Sequence, residues 1–404
     1  MLFWNKIKRD KKNTLIESDE ILVKHNGIFR RRLTLFEAVA LIVSATIGAG
    51  VLGIPYAVAK VGIWPGLAYV IILGALMIGL NLMIGEVMVR TRENLQIVGL
   101  AGKYLGKWGQ VLLSLFVYVM LFGTLVIYTI GSGEALSALF GGSAFNWSLI
   151  FITVGAFFIF VGMKSIKVIE FLLSLGVLFV IVLIILISAP HINYDYFAHF
   201  DLAQLLFPYG VILFAFHATT SIPEAHSLLI KKDTDFKKAI LIAGIISVVA
   251  YALFAVFVVA VTGPETTEIA TIGLGNKVGK SIFLFGNIFA ILAMGTSFLI
   301  NAISLKDSLH WDYKIPHWLA FSMVIGLPVL VFVLGIRNFI AAIDIVGGVF
   351  VSLEMLIILL IYWRAKQLGD LSPGKYKLHH TALLGVVLFL ALAAGAVYSV
   401  MKLF

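Results

Sequence analysis

The chain has 404 residues, of which 61% are Ala, Val, Ile, Leu, Met, Phe, Trp, Tyr or Cys and only 13% are charged. Soluble domains run at roughly 45–50% apolar and about 25% charged, so this composition, with a mean hydropathy of +1.05, excludes a soluble enzyme. Cysteine is absent, which removes disulfides, thiolate metal clusters and thiol nucleophiles; the net charge of +9 is a nucleic-acid signal only if the basic residues share one folded face, and they do not.

Residues 1–33 carry nine Lys and Arg and no compact apolar stretch ahead of a cleavage site, so they read as a cytoplasmic N-terminal segment rather than a signal peptide. Leu15, Ile16, Ile21, Leu22 and Val23 lie among charges, a pattern that suits an interfacial helix or disorder equally, and no fold is assigned. From residue 34 onward, apolar runs recur. A bilayer core of about 30 Å takes roughly 20 residues of helix, and eleven such runs follow: 34–60, 65–88, 109–133, 147–163, 168–189, 204–228, 239–262, 281–304, 317–334, 339–363 and 381–401. Lipid leaves backbone groups without partners and the runs lack strand alternation, so the class is an all-α integral membrane protein of eleven transmembrane helices. Of the 30 Lys and Arg, 25 fall in the N-terminal segment and alternate connections, against Lys60, Lys277, Lys280, Arg337 and Lys402 on the other side. Positive residues accumulate in the cytoplasm, so the N-terminus is cytoplasmic and the C-terminus outside. The connections 190–203 and 263–280 contain Pro and polar residues and are too short for a separate domain.

Span one contains Gly48, Gly50, Gly53 and Pro55 in mid-membrane. Each Gly weakens a helix by about 1 kcal/mol relative to Ala and an interior Pro by about 3, which predicts a break near 47–51. Span six reads Phe214-Ala215-Phe216-His217-Ala218-Thr219-Thr220-Ser221-Ile222-Pro223-Glu224-Ala225 and predicts a second break near 216–221. The two share Ile-Pro-x-Ala and lie five spans apart in opposite directions. The chain therefore reads as a 5+5 inverted repeat, about 34–189 and 204–363, plus one extra helix at 381–401. Paired interrupted helices of this kind point to the binding site of a secondary transporter.

A helix break presents free N–H groups on one side and free C=O groups on the other, each at a dipole end. That suits a zwitterion. The first break, with Thr46, Gly48, Ala49, Gly50, Val51 and Leu52, offers amides to a carboxylate; the second, with Phe214, Ala215, Phe216 and His217, offers carbonyls to an ammonium and aromatic rings to a side chain. The expected partners are a free amino acid and the lipid bilayer, with no nucleic acid and no organic cofactor. The first break has only Thr46 as a polar side chain, which argues against a divalent-metal site. No HExxH, P-loop, GxSxG or paired-cysteine motif points to an enzyme.

The strings Thr46-Ile47-Gly48-Ala49-Gly50-Val51-Leu52-Gly53-Ile54-Pro55-Tyr56-Ala57 and Phe214-Ala215-Phe216-His217 resemble the first- and sixth-span motifs of the amino acid–polyamine–organocation superfamily. The likeness is to its amino acid/auxin permease and hydroxy/aromatic amino acid permease branches. This resemblance implies a leucine-transporter-like fold and alternating-access amino acid transport across the plasma membrane, driven by a proton or sodium gradient. A non-transporting amino-acid sensor of the same fold is the alternative. In sodium-coupled relatives the ion lies between first-span carbonyls and span-eight hydroxyls, here Ser44 and Ile47 with Thr296 and Ser297, while the span-five lysine of some proton-coupled relatives has no counterpart in 168–189. Span three lines the pathway in relatives, which makes Tyr118 and Tyr128 gate candidates. Protons bring in His217, the one histidine near the middle of a span, and Asp344; Asp344 and Glu354 are also suited to pairing with Tyr or Lys at a gate.

Overall fold

The computed structural model describes residues 22–25, 28–31, 33–161, 166–229, 232–379 and 381–402. The chain enters through a short antiparallel hairpin, β1 (Leu22–His25) and β2 (Ile28–Arg31), with His25 paired to Ile28 and Leu22 to Arg31. At Leu22 and Val23 a strand stands where the composition suits an interfacial helix or disorder, while Leu15, Ile16 and Ile21 lie outside the described residues. The residues between the paired His25 and Ile28 are Asn and Gly in sequence, the dipeptide that two-residue hairpin loops favour.

Helix α1 (Leu35–Thr46) starts at a capping box: Thr34 N–H donates to Glu37 Oε2 at 2.8 Å, and Glu37 N–H donates to Thr34 Oγ1 at 3.4 Å. After residues 47–49, α2 (Gly50–Val61) leaves at a bend of 58°. Positive-φ glycine at Gly62 (φ 103°) turns the chain into α3 (Ile63–Arg90). Helix α4 (Ile97–Phe140) outruns the expected 109–133 at both ends. Gly106 (φ 76°) splits it into a leading segment and a long helix, and the helix continues through Glu134-Ala135-Leu136 until Gly141 and Gly142, both at positive φ, stop it. Then come α5 (Ala144–Val161) and α6 (Ile166–Ser188).

The second half begins with three short 3₁₀ turns in 190–203 and a broken pair, α7 (Pro208–Ala215) and α8 (Ser221–Leu228). Pro223 sits in the first turn of α8, where its missing N–H has no helical acceptor. Helix α9 (Lys232–Thr262) is followed by a short helix α10 (Ala270–Val278) inside the 263–280 connection, then α11 (Lys280–Tyr313) and α12 (His317–Val333). Helix α13 (Phe339–Leu368) carries a π turn at Val346–Val351, and α14 (Thr381–Met401) closes the chain. The π turn brings Gly347 against α7, where an added Cβ would lie 2.0 Å from the Gly210 carbonyl oxygen; no larger residue fits that contact.

Among the described residues, seven helices are long and apolar enough to cross a membrane, and the bent α1–α2 pair makes eight. The α7–α8 pair and α12 fall below that length. Burial sorts the helices: 72% of the apolar window of α13 is enclosed against 22% of that of α5. So α13 is a central helix, whereas α5 turns Phe157 and Phe160 outward, as do α6 with Leu186 and α14 with Leu390. Apolar side chains exposed around the whole bundle mark an integral membrane protein.

Candidate functional site

The two breaks meet. A Cβ on Gly50, at the start of α2, would lie 2.7 Å from Ala215 Cα at the end of α7, so the two helix ends touch backbone to backbone and only glycine allows it. The space beside Gly50 is thus taken up by a helix. Gly48 is roomier: its Cβ would meet only Tyr128 Oη, at 3.7 Å.

Across this junction lies Tyr251 of α9, fully buried, whose hydroxyl donates toward two carbonyl oxygens: Thr46 at 2.7 Å and Ala215 at 2.9 Å. One hydroxyl proton therefore serves the C-terminal ends of both α1 and α7. Phe216 packs its ring on Tyr251 with centroids 4.9 Å apart and reaches toward Gly74 of α3, so it lines the core rather than the gap. Phe214 stays half-buried, packed against the core beside Gly347 of the π turn. The Thr46 hydroxyl bonds back to the Ile42 carbonyl at 2.7 Å and is turned away from the break.

At the first break, Gly48 N–H donates to Thr46 O, Val51 N–H to Gly48 O and Leu52 N–H to Ala49 O, all at 3.0–3.3 Å. Among the described residues this leaves the Ala49 and Gly50 amides without a backbone acceptor, while the Val51 and Leu52 side chains are buried in the first turn of α2. At the second break the Phe214 carbonyl accepts from His217 N–H at 3.1 Å, and that of Ala215 from Tyr251. Among the described residues, the Phe216 carbonyl is one of those at this break that accept no hydrogen bond.

His217 lies on the non-helical stretch between α7 and α8. Its Nε2 is 3.1 Å from Glu354 Oε2 on α13 and 3.1 Å from Thr219 Oγ1, and the Thr219 hydroxyl donates to Glu354 Oε1 at 2.9 Å. Glu354 and Thr219 are fully buried, and the His217 side chain is 14% exposed. A carboxylate thus sits inside the bundle with a histidine and a threonine from the second break.

The remaining candidates are spread over α1 and the first break, α4, α11 and α13. Asp344 pairs with Lys402 at 2.6 Å, joining α13 to the last turn of α14, while its Oδ1 is buried without a hydrogen-bond partner. Tyr118 meets Ser308 of α11 at 2.6 Å and Tyr313 edge-on, a contact between α4 and α11. Tyr128 is buried beside Gly48. The Thr296 hydroxyl bonds to the Leu292 and Ala293 carbonyls of its own helix, and half-buried Ser297 lends its carbonyl to Asn301. Ser44 is half-buried in the last turns of α1, and Ile47 is buried in the first break. No group of three or more His, Cys, Asp or Glu is placed to hold a metal ion among the described residues.

Tyr251 and Thr219 are the residues that sequence reasoning passed over. Tyr251 sits in the apolar run Val248-Val249-Ala250-Tyr251-Ala252-Leu253-Phe254, where nothing distinguishes it from a packing tyrosine. Thr219 lies within the predicted break, and a hydroxyl two residues from an intramembrane histidine was the available signal.

Two broken helices abutting at mid-bundle define the leucine-transporter-like class of membrane transporters, and solved structures bear this out at the level of fold. The inward-facing conformation of Mhp1 superposes with a TM-score of 0.63 at 12% identity over 92% of this chain and 91% of that one. MhsT in complex with L-phenylalanine gives 0.60 at 16% identity over 91% and 98%. The chain belongs to the tryptophan/tyrosine permease family, whose model matches residues 31–398. It is 25% identical to the tyrosine-specific transport system 2 of Haemophilus influenzae over 88% of this chain and 95% of that protein. It is 26% identical to glutamine transporter 2 of Aliivibrio fischeri, over 87% and 97%. Membership makes it a transporter and not an enzyme, and confirms the permease nature that the span-one and span-six motifs imply; the family match does not distinguish the branches to which those motifs are similar.

Proposed function

We propose that the protein is a secondary transporter of neutral amino acids that works by alternating access in the plasma membrane. It crosses eleven times from a cytoplasmic N-terminus, with residues 34–404 as one transport domain built of repeats 34–189 and 204–363 and the added helix 381–401. The observation that carries this reading is the junction itself: open amides at Ala49 and Gly50 on one side and an open carbonyl at Phe216 on the other, between abutting helix ends. Helix N-terminal amides suit a carboxylate and C-terminal carbonyls an ammonium, which together describe the part common to all amino acids. In this reading half-buried Phe214 contacts the apolar part of the side chain. The names of the relatives, tyrosine and glutamine transporters, supply the substrate class. Transport is coupled to a cation moving down its gradient, a proton or sodium.

The test is uptake of radiolabelled tyrosine, tryptophan and glutamine into proteoliposomes, with proton and sodium gradients imposed separately. Accumulation above the equilibrium level of at least one of the three under one gradient is the expected result. Binding with neither accumulation nor exchange would overturn transport in favour of a membrane amino-acid sensor.

A further inference from the structure

We propose that His217 and Glu354 form one proton-carrying unit at the second break, with Thr219 as its positioning residue. The inference rests on the transport reading above and names the coupling site within it.

With Glu354 taken as the carboxylate, the hydrogen bonds assign the remaining hydrogens. The Thr219 hydroxyl has one hydrogen, and at 2.9 Å it points to Glu354 Oε1. Its oxygen then faces His217 Nε2 as an acceptor, and so does Glu354 Oε2. Nε2 therefore carries a hydrogen, and Nδ1 is the ring nitrogen that accepts the next proton. With a neutral imidazole the unit holds a net negative charge on a carboxylate with no exposure, an expensive state deep in a bundle. One proton from water on Nδ1 turns it into a His⁺–Glu⁻ pair of zero net charge. The His217 side chain keeps 14% exposure beside a fully buried Glu354, which makes it the member of the unit open to an incoming proton, and returning that proton to water on the other side restores the starting state.

The placement ties this charge change to movement. His217 and Thr219 belong to the unwound stretch between α7 and α8, and Glu354 to α13, the most enclosed of the long apolar helices among the described residues. Protonated, the ion pair holds the break against α13; deprotonated, the Glu354 carboxylate keeps hydrogen bonds from a neutral imidazole and a hydroxyl but loses the ion pair, and the break is freer to shift. The ligand-facing Phe216 carbonyl is adjacent to His217, so ammonium and proton occupy neighbouring points of one segment. The other titratable groups on the packed helices are distinct from this unit: Glu86 is tied to Arg90 and Tyr362, Lys103 to Asp370, Lys402 to Asp344, and Lys366 to Thr381. Lys107 and Glu134 on α4, Glu224 and His226 on α8, Arg364 on α13, Glu37 on α1 and Asp235, Lys237 and Lys238 on α9 are further charged groups on these helices.

Proteoliposomes loaded with pyranine, with labelled tyrosine, tryptophan and glutamine each as tracer, separate the steps. Exchange against internal unlabelled amino acid needs no net proton movement, whereas accumulation driven by an inside-alkaline gradient does. One pH unit is a factor of ten for one proton, so wild type accumulates a tracer roughly tenfold per unit and acidifies the lumen. Glu354→Gln is expected to keep measurable exchange, to lose gradient-driven accumulation and lumen acidification, and to show an exchange rate flat between about pH 5.5 and 8. His217→Gln, which keeps a donor of similar reach, is expected to lose the same pH dependence and decides the matter if the Glu354 variant does not fold. Thr219→Val shifts the midpoint of the pH profile and Thr219→Ser restores it, as a positioning role requires. Wild-type-like proton-driven accumulation in both Glu354→Gln and His217→Gln overturns the inference. Accumulation by wild type under a sodium gradient alone also overturns it while leaving transport intact. Absence of exchange in wild type overturns the transport reading and this inference with it.

Discussion

Tyr251→Phe isolates a single proton at the centre of the molecule. The ring and its 4.9 Å contact with Phe216 survive the change, so what is lost is the hydroxyl that serves the Thr46 and Ala215 carbonyls at 2.7 and 2.9 Å. The Thr46 carbonyl keeps Gly48 N–H at 3.0 Å, whereas the Ala215 carbonyl loses its hydroxyl donor at a buried helix end. A buried polar group left unsatisfied costs about 1–3 kcal/mol, and a net hydrogen bond about 0.5–1.5 kcal/mol. Taking the first figure for Ala215 and the second for Thr46 gives a loss of roughly 1.5–4.5 kcal/mol. Unfolding in mixed micelles of mild detergent and dodecyl sulfate reads this directly, and an amino acid that binds the junction should recover part of it by supplying an ammonium to the open carbonyl. A variant within about 0.5 kcal/mol of wild type would mean that the carbonyls are satisfied by water and that Tyr251 is a packing residue.

The two glycines of the first break should behave differently. Gly50→Ala drives a methyl to 2.7 Å from the Ala215 backbone and is expected to cost about 1–3 kcal/mol and most of the substrate binding, whereas Gly48→Ala meets Tyr128 Oη at an ordinary 3.7 Å and should fold like wild type; equal losses in a binding titration would contradict this. Lys402→Met strips the partner from buried Asp344, whose Oδ1 already lacks a hydrogen bond, and with the lysine 39% exposed the loss is about 1–3 kcal/mol, below the 3–5 of a fully buried pair. Adding Asp344→Asn to it should regain most of that stability in the same unfolding assay. At the other end of α13, the hydrogen bond from Lys103, helped by Arg92 N–H, holds the Asp370 carboxyl below its ordinary range and lifts Lys103 above its own. The contact therefore stabilises the fold above the ordinary carboxylate pKa of about 3.9 and below the ordinary lysine pKa of about 10.4. It is lost as pH falls through the lowered value or rises through the raised one. Hydrogen exchange at Leu371 N–H, which donates to Arg90 O at 3.0 Å, should show protection falling below about pH 4, after correction for intrinsic rates, and an Asp370→Asn variant should lack the change.

Both interruptions were legible because their cause is local: glycines and proline at 48–55, and weak helix formers with proline at 216–223, cannot sustain a helix whatever surrounds them. The chemistry of the site was less so. His217 stands out as an ionisable residue at membrane depth, but its partner lies 137 residues on in sequence, and only the packing of α13 against the second break brings Glu354 to it. Asp344 presents the same sequence signal as Glu354 and is consumed by Lys402 instead, a choice that depends on where the last helix ends. The π turn at Val346–Val351 has a similar origin, since Gly347 and Gly348 are unremarkable until α7 lies against them. The hairpin went unread for a different reason: its Asn-Gly signal is short and is hidden among nine basic residues whose evident meaning is topology.

One small contact ahead of the first helix has a mechanical consequence. Leu33 pairs in a parallel bridge with Leu229, just past the end of α8, and the capping box at Thr34 and Glu37 fastens that same strand to α1. Two half-helices from different repeats, distant in sequence, are thereby yoked at their tips by main chain rather than by side chains. A swing of α1 about the 47–49 break carries α8 with it, and the leverage is insensitive to substitution because backbone groups make the joint.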